Sequence, residues 1–133
     1  MIVADTNVIA YLLIEGEKTK HATALLEQDS NWVAPLLWSS EFRNVLSLYL
    51  RKNLMDMEEV AFLLMLAETL LANNEHRVAS VDVMNLVSSS NCSSYDCEFV
   101  ALAQKLNIKL VTNDKKVLKA FPETAVSLDI YTT

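Results

Sequence analysis

Apolar and polar positions follow two periods along this chain, and the switching between them divides it into strands and helices. The apolar run from Met1 to Ala4 ends at Asp5, after which Val8, Ile9, Leu12 and Leu13 recur at helical spacing. A strand followed by a helix is expected. A second helix is expected from about Lys18 to Gln28, and Trp32, Val33 and Ala34 read as a short strand stopped by Pro35. From Leu36 to Lys52 apolar residues return at 38, 42, 45, 46 and 49, which predicts another helix. Asp56 followed by Glu59 has the spacing of a capping box and opens a helix to about Asn73.

Arg77 to Val81 reads as a third strand, and Asp82 as the N-cap of a short helix through Val87. The stretch Ser88 to Ser93 is the most loop-like part of the chain, and a helix from Ser94 to Asn107 follows it. Ile108 to Thr112 is the clearest strand and runs into Asn113-Asp114. A helix from Lys115 to about Phe121 is separated by Pro122 from a last strand near Val126 to Leu128. Strands alternating with helices define the α/β class, with a mainly parallel sheet covered on both faces. No repeat, low-complexity tract or linker interrupts this rhythm, so residues 1–133 read as a single domain.

A hydrophobic content of 52% with 21% charged residues supports one packed core. The apolar stretches are all shorter than the roughly 18 residues that cross a bilayer. The first residues carry an aspartate and an asparagine and no basic region, unlike a signal peptide, so a cytoplasmic location and no membrane contact are expected. Gly16 is the only glycine, which excludes the glycine-rich loops that cradle nucleotide phosphates. Cys92 and Cys97, with only His21 and His76 as possible nitrogen partners, make no zinc pattern and read as free thiols. The net charge of −6 argues against a broad basic nucleic-acid surface. An acidic protein acting on nucleic acid needs its negative charge gathered around divalent cations.

The acidic positions have that character. Asp5 and Asp114 stand at strand ends, and open parallel sheets bind ligands beyond the carboxyl ends of their strands. Each can equally cap the helix that follows it. Asp96 lies in a first helical turn and shares a face with Phe99, Val100 and Ala103. A carboxylate aimed along an apolar stripe needs a metal, a cation or a hydrogen-bond donor. Glu41 sits mid-helix beside Leu37, Val45 and Leu48, where no capping role exists; a salt bridge to Arg43 or Arg51 is the alternative to a functional role. Lys115, Lys116 and Lys119 read as a solvated face beside Asp114. Phe62-Leu63-Leu64-Met65-Leu66 are five consecutive apolar residues that cannot all face one core from a helix, which points to a protein interface.

In order along the chain, the fragments Val-Ala-Asp5-Thr6-Asn7, Ser-Ser-Glu41-Phe42-Arg43, Ser-Tyr95-Asp96-Cys97-Glu-Phe-Val-Ala-Leu-Ala and Leu-Val-Thr112-Asn113-Asp114 resemble those of PIN-domain ribonucleases, most of all VapC-type toxins of toxin-antitoxin modules. The resemblance covers essentially the whole chain. It implies a three-layer PIN-like fold with a mainly parallel five-stranded sheet in the order 3-2-1-4-5, flanked by helices. It also implies a metal-dependent endoribonuclease acting at a four-carboxylate site and leaving a 5′-phosphate. Asp5, Asp96 and Asp114 would be the direct ligands of Mg²⁺ or Mn²⁺, and Glu41 would hold a water or a second ion; oxygen ligands suit such hard cations. Thr6, Asn7 and Thr112 are candidates for orienting ligands or waters, although turn and cap chemistry accounts for them as well. The implied partners are an RNA substrate, an antitoxin protein and a second copy of the chain in a homodimer. Cys97 stands where a small residue is usual, and Asn91-Cys92 where a glycine often opens the loop. A PIN-like domain that binds RNA or protein without cutting stays open as the alternative. A receiver-like phosphoacceptor domain needs an acidic pair after the first strand, where Thr6-Asn7 stands.

Overall fold

The computed structural model describes residues 1–133. Five strands, β1 (Ile2–Ala4), β2 (Trp32–Pro35), β3 (Glu75–His76), β4 (Leu110–Val111) and β5 (Ala125–Val126), pair in the order β3-β2-β1-β4-β5. All four pairings are parallel, with Val3 opposite both Val33 and Leu110. Eight helices flank this sheet: α1 (Thr6–Leu13), α2 (Thr19–Gln28), α3 (Leu37–Arg51), α4 (Met57–Leu70), α5 (Ser80–Ser88), α6 (Ser94–Leu106), α7 (Lys115–Ala120) and α8 (Leu128–Tyr131). The expected α/β fold and strand order are both present.

Central strands of a parallel sheet are covered on both faces, so they read as unbroken apolar runs rather than alternating ones. Ile2, Val3 and Ala4 are all buried, as are Trp32, Val33, Ala34 and Pro35. Helix α6 packs across β1, β2 and β4, while α1 packs on α2 and α3. Val100, Leu102 and Ala103 of α6 join Trp32, Trp38 and Phe42 in one continuous core.

Local chemistry sets the helix ends. The Asp56 carboxylate accepts from the Glu59 N–H, and the Glu59 side chain accepts in return from the Asp56 N–H, so the expected capping box opens α4. Asn107 ends α6 in the left-handed region, and Asn53 and Asn73 also have positive φ. Asparagine tolerates that conformation better than other side chains bearing a Cβ, so it supplies the stops that glycine commonly provides.

Several local expectations are corrected. Pro35 is the last residue of β2 rather than the stop after Ala34. The third strand lies at Glu75–His76, not Arg77 to Val81, and Ala79 rather than Asp82 is the N-cap of α5. Asp82 instead sits in the first turn of that helix, where its charge favours the dipole. An edge strand of two residues carries no buried apolar pattern to read. It is placed by long-range hydrogen bonds, from the Ala34 N–H to the Asn74 carbonyl and from the Leu36 N–H to the His76 carbonyl. The last strand ends at Val126, because Ser127 caps the short α8 by accepting from the Ile130 N–H.

Helix α4 buries only Val60 and Ala67, leaving Phe62 and Met65 exposed and Leu63, Leu64 and Leu66 half-buried. No helix is long and apolar enough to cross a membrane. Cys92 and Cys97 are buried free thiols.

Candidate active site

The order of the sheet reverses between β1 and β4, and Asp5 and Asp114 follow those two strands. The chain leaves β1 in extended conformation at Asp5, whose N–H donates to the Val111 carbonyl and so ties it to β4. A cleft of about 430 Å³ opens there, lined by Asp5, Glu41, Asp96 and Asp114 together with Thr6, Asn7 and Thr112. All seven residues singled out in the sequence therefore share one cavity.

Each acid is held differently. Asp5 Oδ2 accepts from the Thr112 hydroxyl at 2.8 Å. Burial pushes the Asp5 carboxyl above its ordinary pKa; hydrogen bonds from the Thr112 side chain and the Thr6 backbone oppose that rise, and the charges of Asp114 and Asp96 add to it. Glu41 Oε1 accepts from the Thr6 hydroxyl at 2.7 Å. Burial again raises the carboxyl, with the Thr6 bond opposing and the charges of Asp5, Asp96 and Glu98 adding.

Asp96 and Asp114 also serve as caps, so the structural and functional readings of these positions coexist. Asp96 Oδ2 accepts from the Ser93 N–H at 3.3 Å while Ser93 Oγ accepts from the Asp96 N–H at 3.1 Å. Asp114 Oδ1 accepts from the Lys116 N–H at 2.9 Å and the Val117 N–H at 3.4 Å. Both carboxylates keep lone pairs beyond those bonds.

The salt-bridge alternative for Glu41 is not realised. Arg43 donates to the Ser40 hydroxyl at 3.1 Å instead. The ion pairs in the chain are those of the N-terminus with Asp29 and of Lys18 with Asp129, so none of the four acids in the cleft has a cationic partner.

Thr6 and Thr112 act across the fold rather than along the chain. Thr6 neighbours Asp5, but its hydroxyl serves Glu41, 35 residues away. The Thr112 hydroxyl donates to Asp5 and accepts from the Asp114 N–H at 3.1 Å, linking two of the acids. Thr112 is 1% exposed, so valine there should leave buried polar atoms unpaired and cost about 1–3 kcal/mol. The expected reading is a lower urea midpoint with an unchanged denaturant slope.

No group of three His, Cys, Asp or Glu side chains stands close enough together to form a ready-made metal cage. The donor set nevertheless fits Mg²⁺, which binds one or two carboxylates and keeps waters for the remaining positions. Four hard oxygen donors without counter-charge in one cleft are suited to a divalent cation.

Sequence reasoning missed Ser40, Asn44 and Tyr95. Ser40 and Asn44 lie with Leu37, Glu41 and Val45 on one stripe of α3 lining the cleft, and Tyr95 and Phe99 of α6 line it as well. Spacing of three and four residues around Glu41 and Asp96 was the available signal.

A parallel five-stranded sheet in this order, with acids gathered at its switch point, defines a known class. The chain belongs to the PIN domain family, whose model matches residues 2–124. It is similar to ribonuclease VapC3 of Pyrobaculum aerophilum, with 30% identity over 124 residues, covering 91% of this chain and 95% of that protein. Its fold is similar to that of PAE2754 from Pyrobaculum aerophilum, with a TM-score of 0.78 at 15% identity, covering 98% of this chain and 85% of the other. It is also similar to FitAcB from Neisseria gonorrhoeae, with a TM-score of 0.77 at 17% identity, covering 96% and 98% of the two chains. The structure of FitAB bound to an IR36 DNA fragment contains a further likeness, with a TM-score of 0.72 at 17% identity, covering 96% and 95%.

Proposed function

We propose that this PIN-domain chain is a metal-dependent endoribonuclease and the toxin of a toxin-antitoxin pair. The observation that carries the chemistry is the gathering of Asp5, Glu41, Asp96 and Asp114, without a cationic partner, in one cleft at the switch point of the sheet. The likeness to ribonuclease VapC3 supports RNA as the substrate.

Asp5, Asp96 and Asp114 would hold Mg²⁺ or Mn²⁺ directly or through its water shell, and Glu41 would orient a water or second ion. The cation, when bound, supplies charge neutralisation at the attacked phosphate and lowers the pKa of a water. The Thr6 hydroxyl holds Glu41 by Oε1, which leaves Oε2 to face a water or ion in the cleft. Thr112 fixes Asp5 and the start of the Asp114 turn, so both acids keep their positions as charge develops. Asn7 is exposed at the cleft mouth, within reach of ligand or water.

Incubating the purified protein with RNA in Mg²⁺, Mn²⁺ and chelator tests this reading. Cleavage in the metals only, leaving 5′-phosphate ends, is expected. RNA binding without cleavage in any condition would instead make it a non-catalytic PIN-like domain.

Phe62 and Met65 of α4 are exposed, and Phe62 lines a groove of about 410 Å³ together with Leu13, Ile14, Leu54, Met55 and Leu63. Covering this surface favours self-association and an antitoxin partner. Light scattering at micromolar concentration is expected to give twice the 14.9 kDa of the chain. A clean monomer would count against the homodimer.

A further inference from the structure

Past Thr112 the pairing of β4 with its neighbour passes from backbone to side chain. The Leu110 N–H donates to the Thr124 carbonyl at 2.9 Å and the Thr112 N–H to the Val126 carbonyl at 3.0 Å. In a regular parallel ladder the next bond would run from the Leu128 N–H to the Thr112 carbonyl. It runs instead to Asn113 Oδ1, at 3.0 Å. The Asn113 side chain thus satisfies the first amide of α8 after the backbone has left the sheet.

The residue that follows is Asp114, and its turn has three fastenings. Asp114 caps α7 with its own carboxylate, its N–H donates to the Thr112 hydroxyl that also serves Asp5, and Asn113 ties the turn to α8. Asp114 is exposed, so close packing does not fix its side chain, and its place at the cleft depends on the hydrogen bonds of the turn. Helix α8 is a firm anchor for them. Leu128 is fully buried, Gln28 of α2 donates from Nε2 to the Tyr131 carbonyl at 3.0 Å, and Lys18 pairs with Asp129 at 3.6 Å. Neither Asn113 nor any residue of α8 lines the cleft, so whatever they contribute acts through Asp114.

We propose that Asn113 is a positioning residue for Asp114, which holds this acid at the cleft by anchoring its turn to α8. The proposal rests on the metal-dependent reading above and adds to that site a support that lies outside the cleft. Partners that orient a metal-binding carboxylate matter nearly as much as the carboxylate itself.

The test compares Asn113→Ala, which removes the acceptor, with Asn113→Asp, which keeps an oxygen in its place, both in the full chain. Mn²⁺ alone is the first probe, its free concentration read from its electron paramagnetic resonance signal well below Tm. Amide hydrogen exchange followed by NMR is the second. In the alanine variant the Leu128 amide should lose protection, while the Leu110 and Thr112 amides, bonded to the backbone of the neighbouring strand, keep theirs. Mn²⁺ affinity should fall by about 10- to 100-fold. In Mg²⁺ with RNA, kcat should fall with little change in KM. Aspartate should restore both the Leu128 protection and Mn²⁺ binding at least as tight as in wild type.

A purely structural role would lower Tm and leave Mn²⁺ affinity unchanged, and that result would overturn the proposal. So would an unchanged Leu128 amide in the alanine variant. Because aspartate also brings a charge, tighter Mn²⁺ binding without restored Leu128 protection would assign the rescue to that charge and count against the anchor. If wild type binds Mn²⁺ and cleaves RNA while alanine matches it in both, this inference fails and the nuclease reading stands. If alanine loses Mn²⁺ affinity and Leu128 protection but wild type cleaves nothing, Asn113 keeps its positioning role and the nuclease reading fails. No Mn²⁺ binding by wild type would overturn both.

Discussion

Replacing Asp5, Asp96 or Asp114 by asparagine is expected to reduce Mg²⁺-dependent RNA cleavage by at least about a hundredfold, the scale on which single charge-stabilising groups act. The fold should survive in each case. Asparagine at 114 still caps α7 through its side-chain oxygen, because asparagine and aspartate are equally good N-caps. Asparagine at 96 can keep accepting from the Ser93 N–H, and asparagine at 5 from the Thr112 hydroxyl. What each variant loses is the negative charge that would hold a divalent cation. An unchanged circular dichroism spectrum with lost cleavage assigns the effect to the site. Cleavage at the wild-type rate by any one variant would remove that residue from the metal-binding set. Glu41→Gln is expected to act more mildly, since a group that orients water is less costly to lose than a ligand.

The second large effect is on stability, and its sign follows from the raised carboxyls. Burial is the first cause for both Asp5 and Glu41, and the neighbouring negative charges add to it. A group whose folded pKa lies above its unfolded value, about 4 for a carboxyl, favours folding while protonated. That contribution is fully present below the unfolded value and is lost as pH rises through the higher folded value. The metal-free protein at pH 7 is therefore expected to be less stable than its Asp5→Asn variant, with the gap closing as pH falls towards about 4.

Metal should remove the penalty in the wild type. Binding to the native state alone stabilises by about 2.7 kcal/mol at a hundredfold excess over Kd, which is several degrees in Tm for a chain of this size. The experiment is a melting series in chelator, Mg²⁺ and Mn²⁺ across pH for wild type, Asp5→Asn and Asp96→Asn. Equal Tm in all three conditions for wild type, with no gain from either substitution in chelator, would leave the acids without a shared metal role. Repulsion within the cluster adds to the rise, but burial ranks ahead of it for both groups.

The legibility of the site differed from residue to residue. Asp5 and Asp114 were readable because strand ends announce themselves: apolar runs terminate at a polar residue, and parallel sheets gather such ends on one rim. Asp96 was readable from its apolar face, and Glu41 because no capping role exists for an acid in mid-helix beside an apolar stripe, although Arg43 and Arg51 left a salt bridge open until the structure showed none. Tyr95 was not singled out, since an aromatic in a first helical turn is indistinguishable in sequence from a core residue. Only its exposure beside the acids shows otherwise.

By itself the sequence determined the features with short-range causes. These are the alternation of strands and helices, the capping box at Asp56 and Glu59, the continuous apolar runs of β1 and β2, and the positions of the four acids. Such features depend on residues within a few positions of one another, where propensity and periodicity act directly. The tertiary structure decided what depends on distant segments meeting. Thr6 serves Glu41 rather than its neighbour Asp5, Thr112 reaches Asp5 across 107 residues, and β3 lies at Glu75–His76 because β2 supplies its hydrogen bonds. Burial of Asp5 belongs to the same group, because it arises when β4 and the helices close over the end of β1. Sequence periodicity states which face of an element is apolar; packing alone states which other element that face will meet.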